Sequence, residues 1–127
     1  MNEQQQEAEI QAKNLNAPRL TPSAIDSVIA SEHYFTAADG RTGALSNDTY
    51  VGHEKPQPDD TDLQPLRLLT FCVLVLENGF TVTGESACAS PENFDAEIGR
   101  KIAYENARQK IWPLEGYLLK QALHTAK

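Results

Sequence analysis

The chain has 127 residues, enough for one domain with a core of modest size. Eleven Lys and Arg stand against eighteen Asp and Glu, a net charge of −7. That balance excludes general DNA or RNA binding, which runs on phosphate neutralisation. The charge is uneven: residues 100–127 hold six basic residues and two acids, so the rest of the chain is strongly acidic. A basic helix end complementing its own dipole explains this; a local anion site is the alternative.

Residues 1–18 are polar and rich in Gln and Glu. They can be helical but have little to bury, so they read as a flexible acidic arm that orders only by docking. The rest, 19–127, reads as a single α+β domain. Thr21-Pro22 is a helix start, with Thr at the N-cap and Pro at the first helical position. Ile25, Val28 and Ile29 give that helix an apolar stripe and carry it to about Glu32. His33-Tyr34-Phe35 follows, and Tyr34 or Phe35 is expected in the core. Residues 37–65 have no period and hold three Gly and three Pro, which predicts a long polar loop with one short strand at Tyr50-Val51.

The organising stretch is 66–123. Arg67–Leu76 is nearly all apolar and rich in β-formers, and Asn78-Gly79 is a strong hairpin signal. An antiparallel sheet is therefore expected around a hairpin at about 67–88. A two-residue turn at Asn78-Gly79 sets Val75 opposite Val82 and Val73 opposite Gly84. Phe71, Val73, Val75, Phe80 and Val82 then form the core face. Gly84 lacks a side chain where a helix comes close. Cys72, Leu74 and Leu76 form a second, half-apolar face that needs cover from within the chain or from another subunit. In this register Cys72 and Cys88 diverge and stay reduced.

Ser90-Pro91-Glu92 reads as the start of a long helix, about 91–123, bent near Pro113. Phe94, Ile98 and Ile102 give it one apolar stripe. Ala107, Ile111, Leu114 and Leu118 give a second, displaced around the axis. A lone helix covers one sheet face, so Cys72, Leu74, Leu76, Ile111 and Leu118 are the expected oligomer interface. Trp112 suits the core, with its indole N–H on a carbonyl; ligand stacking is the alternative.

The chain carries no G-x-S-x-G, no phosphate-loop motif and no zinc-like spacing among His33, His53, Cys72 and Cys88. No metal and no cofactor is expected. Glu85, Ser86, Asn93, Asp95 and Asn106 gather around the strand-to-helix connection. They make a capping network or a small-ligand site there. Asp95, in the first turn of that helix, suits stabilising its N-terminus better than acid–base work. With Phe35, Arg100, Arg108 and Trp112, these are the candidate ligand residues. With no apolar run long enough for a membrane span and no signal peptide, a cytoplasmic protein is expected.

Residues 70–119 (TFCVLVLENGFTVTGESACASPENFDAEIGRKIAYENARQKIWPLEGYLL) and 21–40 (TPSAIDSVIASEHYFTAADG) closely resemble a family of small tailed-phage and prophage proteins. That family is named only after a gene forty-nine and a gene sixty-six of two phages. The resemblance implies an accessory phage protein at work in the cytoplasm of the infected host. The layout is also similar to phage sponge proteins of the Thoeris anti-defence type. That likeness implies a homo-oligomer sequestering a cyclic nucleotide or ADP-ribose-type immune signal, and it assigns no individual site residue. The leading expectation is thus a non-enzymatic counter-defence protein with itself and a small nucleotide as partners. The rival is an acidic inhibitor that binds a host protein. A small hydrolase using Glu85 or Asp95 is the third.

Overall fold

The computed structural model describes residues 2–15, 17–47 and 64–127. The expected strand at Tyr50-Val51 and His53 lie outside the described residues. The order is α1 (Glu3–Ala12), α2 (Pro22–Ser27), β1 (Ile29–Thr36), α3 (Ala37–Ser46), a 3-10 turn (Pro65–Leu68), β2 (Leu69–Leu76), β3 (Thr81–Ala87), a second 3-10 turn (Pro91–Asn93), α4 (Ala96–Gln109) and α5 (Ile111–Thr125). The strands form one antiparallel sheet in the order β1-β2-β3. The α+β class, the central hairpin and the long bent C-terminal helix are as expected.

The hairpin turn corrects the predicted register by one residue. Gly79 N–H donates to Leu76 O at 2.8 Å, Leu76 N–H donates to Phe80 O at 2.8 Å, and Gly79 has φ +88°. The loop is therefore three residues, Glu77–Gly79, closed by a glycine in the left-handed region. Leu74 pairs with Val82, and Cys72 with Gly84. A one-residue slip turns every β2 side chain to the other face. Thr70, Cys72, Leu74 and Leu76 are thus buried, and Phe71, Val73 and Val75 lie half-buried on the far side.

The expected oligomer interface falls with the register. Cys72, Leu74, Leu76 and Ile111 belong to the chain's own core, with Ile25, Val82, Ala103 and Ala107. Only Leu118 of that set is exposed. Fully burying Leu74 and Ile111 contributes about 1.5–3 kcal/mol each. Both cysteines are free, as expected, but for a different reason. They share a face four residues apart in register, about 13 Å along the strands, and disulfides need Cα atoms within about 7 Å.

Residues 29–36 are a strand, not the continuation of α2 to Glu32. Ile29, Tyr34, Phe35 and Thr36 are good strand formers. Pairing with β2 also satisfies a backbone edge that would otherwise stand open. Tyr34 packs against the core beside Cys72, while Phe35 stacks tilted on Phe71 on the far face, ring centroids 5.8 Å apart. Residues 37–46, expected as loop, form α3. Thr36 and Asp39 cap it reciprocally: Thr36 Oγ1 accepts from Asp39 N–H, and Asp39 Oδ2 accepts from Thr36 N–H.

The C-terminal helix starts later than Ser90-Pro91 implies. Those residues open only a 3-10 turn, and Asp95 is the true cap, its Oδ1 accepting Ile98 N–H at 3.0 Å. The break between α4 and α5 falls at Lys110. Pro113, which has no N–H to offer Gln109 O, dictates it.

Two stripes of α4 set the architecture. Gly99, Ala103, Ala107 and, across the break, Ile111 are buried at intervals of four. They rest on Thr70, Cys72 and Gly84 of the sheet. A Cβ on Gly84 would stand 2.2 Å from Ala103 O and 2.3 Å from Ala107 N. The bulky stripe expected to face the sheet does not: Ile98 is 55% exposed and Ile102 44%. Small residues win because they allow backbone-to-backbone approach over Gly84.

Candidate functional site

Each residue of the buried stripe is followed by one that turns to its flank: Arg100 after Gly99, Tyr104 after Ala103, Arg108 after Ala107 and Trp112 after Ile111. This second stripe, again at intervals of four, forms one wall of a cleft of about 1160 Å³. Asp26 of α2, Glu32 and Tyr34 of β1 and the first turn of α1 complete it.

The floor of the cleft is a charge network centred on Arg108, whose side chain is 11% exposed. Its Nε donates to Asp26 Oδ1 at 2.8 Å and its Nη2 to Pro22 O at 3.1 Å. Its Nη1 donates to Glu3 Oε2. The same Glu3 oxygen accepts from Trp112 Nε1 at 3.1 Å and from Gln109 Nε2 at 3.4 Å. Three donors from the α4–α5 junction therefore converge on one carboxylate oxygen brought from 105 residues away. Burial alone would pull the Arg108 pKa down. The hydrogen bonds to Asp26 and Glu3 outweigh it and hold the pKa above its ordinary value.

The rings in the cleft are uncharged at neutral pH. Burial first, then the neighbouring Cys72 and Glu32, push the Tyr34 phenol well above its usual range; its hydroxyl donates to Glu32 Oε1 at 3.2 Å. Tyr104 is raised by burial and by Asp26. Lys101 pairs with Glu97 at 3.3 Å. Arg100 has no ion pair among the described residues.

The sequence candidates fall into separate places. Arg100, Arg108 and Trp112 meet in the cleft. Trp112 packs against the core, as expected, but satisfies its indole N–H on the Glu3 carboxylate and not on a carbonyl. Asn106 lies on the opposite flank of α4, where its Nδ2 donates to Glu85 O at 2.8 Å and ties the helix to the outer strand. Ser86 pairs with Thr70 in the sheet, Asn93 ends a 3-10 turn and Asp95 caps α4. Those residues form the capping and tethering network and do not join the cleft. Phe35 is on the far face of the sheet. Tyr104 and Tyr34 were missed. The four-residue repeat through Arg100, Arg108 and Trp112 was the signal for Tyr104. Glu3 and Asp26 had none.

A second groove, about 450 Å³, runs between the hairpin tip and α5 and is lined by Leu76, Phe80, Leu114, Tyr117 and Leu118. Among the described residues no group of His, Cys, Asp and Glu is arranged to hold a metal ion, and no helix is long and apolar enough to cross a membrane.

No curated protein and no solved structure matches the chain. Residues 20–123 match the model of the Phage protein (N4 Gp49/phage Sf6 gene 66) family, which spans the domain from just before α2 into α5 and leaves α1 outside. The chain belongs to that family.

Proposed function

We propose that this phage protein is a non-enzymatic accessory factor that captures a small nucleotide-type ligand in the α4 cleft and so withholds a signal of the host's defence. One observation carries the reading. Arg108, Gln109 and Trp112 aim three N–H donors at a single anionic oxygen, beside the rings of Tyr34 and Tyr104. A phosphate takes the same donors as a carboxylate, and guanidinium–phosphate bonds are strong. The flanking rings offer faces for a base. Neither Glu85 nor Asp95 faces the cleft, so the hydrolase reading has no support from the site.

The test is to incubate the purified protein with a pool of cyclic nucleotides and ADP-ribose derivatives, wash it, release bound material by heat and identify it by mass spectrometry. An intact nucleotide, lost from Trp112→Ala, is the expected result. A cleaved product points to an enzyme, and no ligand sinks the reading. Self-association belongs to the same proposal. With the β2 leucines buried, the groove around Phe80, Tyr117 and Leu118 is where copies would meet. Light scattering across a concentration series should find an oligomer that Leu118→Asp dissociates.

The rival, an acidic inhibitor of a host protein, is favoured by one feature: the cleft carries five carboxylates against three cations. A host-protein pulldown that survives Trp112→Ala but not a change of the cleft acids would favour it.

A further inference from the structure

Helix α1 buries none of its residues, and only Glu3, Glu7 and Ile10 are half-buried. The side-chain bonds that hold it are polar. At its start Glu3 occupies the three donors of Arg108, Gln109 and Trp112. Midway, Glu7 takes a two-pronged bond from Arg19, at 2.7 and 2.8 Å, on the segment between α1 and α2. Such a helix is cheap to remove, because detaching it exposes little apolar surface. With α1 docked, an incoming anion meets a filled position and an excess of carboxylates. With α1 away, the donors of Trp112 and Gln109 lose their acceptor, and Arg108 keeps only Asp26 and the Pro22 carbonyl.

We propose that α1 is an intramolecular occupant of the anion site: the Glu3 carboxylate stands where a ligand's phosphate binds, and ligand and α1 exclude one another. This rests on the reading of the cleft as a ligand site and adds its regulation. The contact competes at high effective concentration, so it lowers the apparent affinity of the free ligand by the fraction of time α1 is docked. Any event that draws α1 away, such as a partner that binds its outer face, would open the site.

Trp112 is the chain's single tryptophan and hydrogen-bonds the plug itself, so its fluorescence reports the exchange. The experiment titrates ADP-ribose into full-length wild-type protein and into Glu3→Ala, following Trp112 emission and hydrogen exchange of the α1 amides. The expected result has two parts. Glu3→Ala should bind at least tenfold more tightly. In the wild type, saturating ADP-ribose should speed exchange in α1. Equal affinities, or α1 amides that the ligand leaves unchanged, overturn the plug while leaving the cleft as a binding site. Absence of binding to both proteins overturns the cleft reading and the plug with it.

Discussion

Helix α4 makes two contacts of opposite character one residue apart in its sequence. Gly99, Ala103 and Ala107 press it onto the sheet with no room for a methyl group over Gly84. Arg108 and, across the break, Trp112 hold α1 through one carboxylate and no buried side chain. The first contact is dry and sterically exact in the sense that any added atom displaces backbone. The second is polar, and under the proposed reading another anion would take the same donors. The difference teaches that one helix can carry a close-packed core contact and a polar contact side by side, provided the two stripes are offset by a single residue.

The sharpest way to break the first contact is Gly84→Ala. The new Cβ would lie within 2.3 Å of helix backbone on two atoms, which no rotamer change relieves. The expected loss is about 3 kcal/mol or more, read as a large fall in the urea midpoint. A loss below about 1 kcal/mol would mean that α4 does not sit as close as described.

Next comes Gly79→Val at the hairpin. Its φ of +88° is strained for a β-branched residue. The expected cost is about 1–3 kcal/mol, visible as a lower melting temperature. This turn also marks how far the fold could be read in advance. Asn78-Gly79 announced a hairpin, but Cys72-Leu74-Leu76 and Phe71-Val73-Val75 are both apolar sets. Hydrophobic alternation therefore could not choose between them, and the choice passed to whether the loop held two residues or three. That one residue decided which leucines are core, and it moved the expected subunit interface into the interior. The bend at Pro113 was legible because it acts through its own local backbone, whereas the helix start was not, since Ser90-Pro91 has the chemistry of a cap and opens only a 3-10 turn before the real cap at Asp95. β1 was hidden because Ile29 extends the apolar stripe of Ile25 and Val28, and only the open edge of β2 makes a strand the better use of residues 29–36. In the cleft, Arg108 and Trp112 were visible as unusual groups on a helix. Their partner Glu3 was not, since an isolated Glu in a polar arm looks like any other.

Gly99→Ala should come out near zero, within about 1 kcal/mol of wild type. Replacing a helical glycine gains up to about 1 kcal/mol. Against that, the new Cβ would sit 3.1 Å from Thr70 Oγ1, so the hydroxyl must yield by a few tenths of an ångström. The paired comparison with Gly84→Ala separates side-chain give from backbone collision on the same interface. Chemical denaturation of both variants under identical conditions measures it.

The smallest effect concerns the second polar hold on α1, the Glu7–Arg19 pair. Arg19 hydrogen-bonds the Glu7 carboxylate and lowers its pKa below the ordinary 4.5. The folded pKa lies below the unfolded one, so the pair's contribution to docking is full above about pH 4.5. It is lost as the pH falls through the lowered value. The sheet contact contains no carboxylate and should not respond in the same window. Lowering the pH from 7 to 5 should thus leave α1 exchange unchanged once the intrinsic chemistry is corrected for. Further acidification should speed α1 exchange while the β2 amides stay protected. Glu7→Gln should remove that pair's share of the acid response. If β2 and α1 instead lose protection together in both proteins, α1 is part of the cooperative core and the contrast between the two faces of α4 fails.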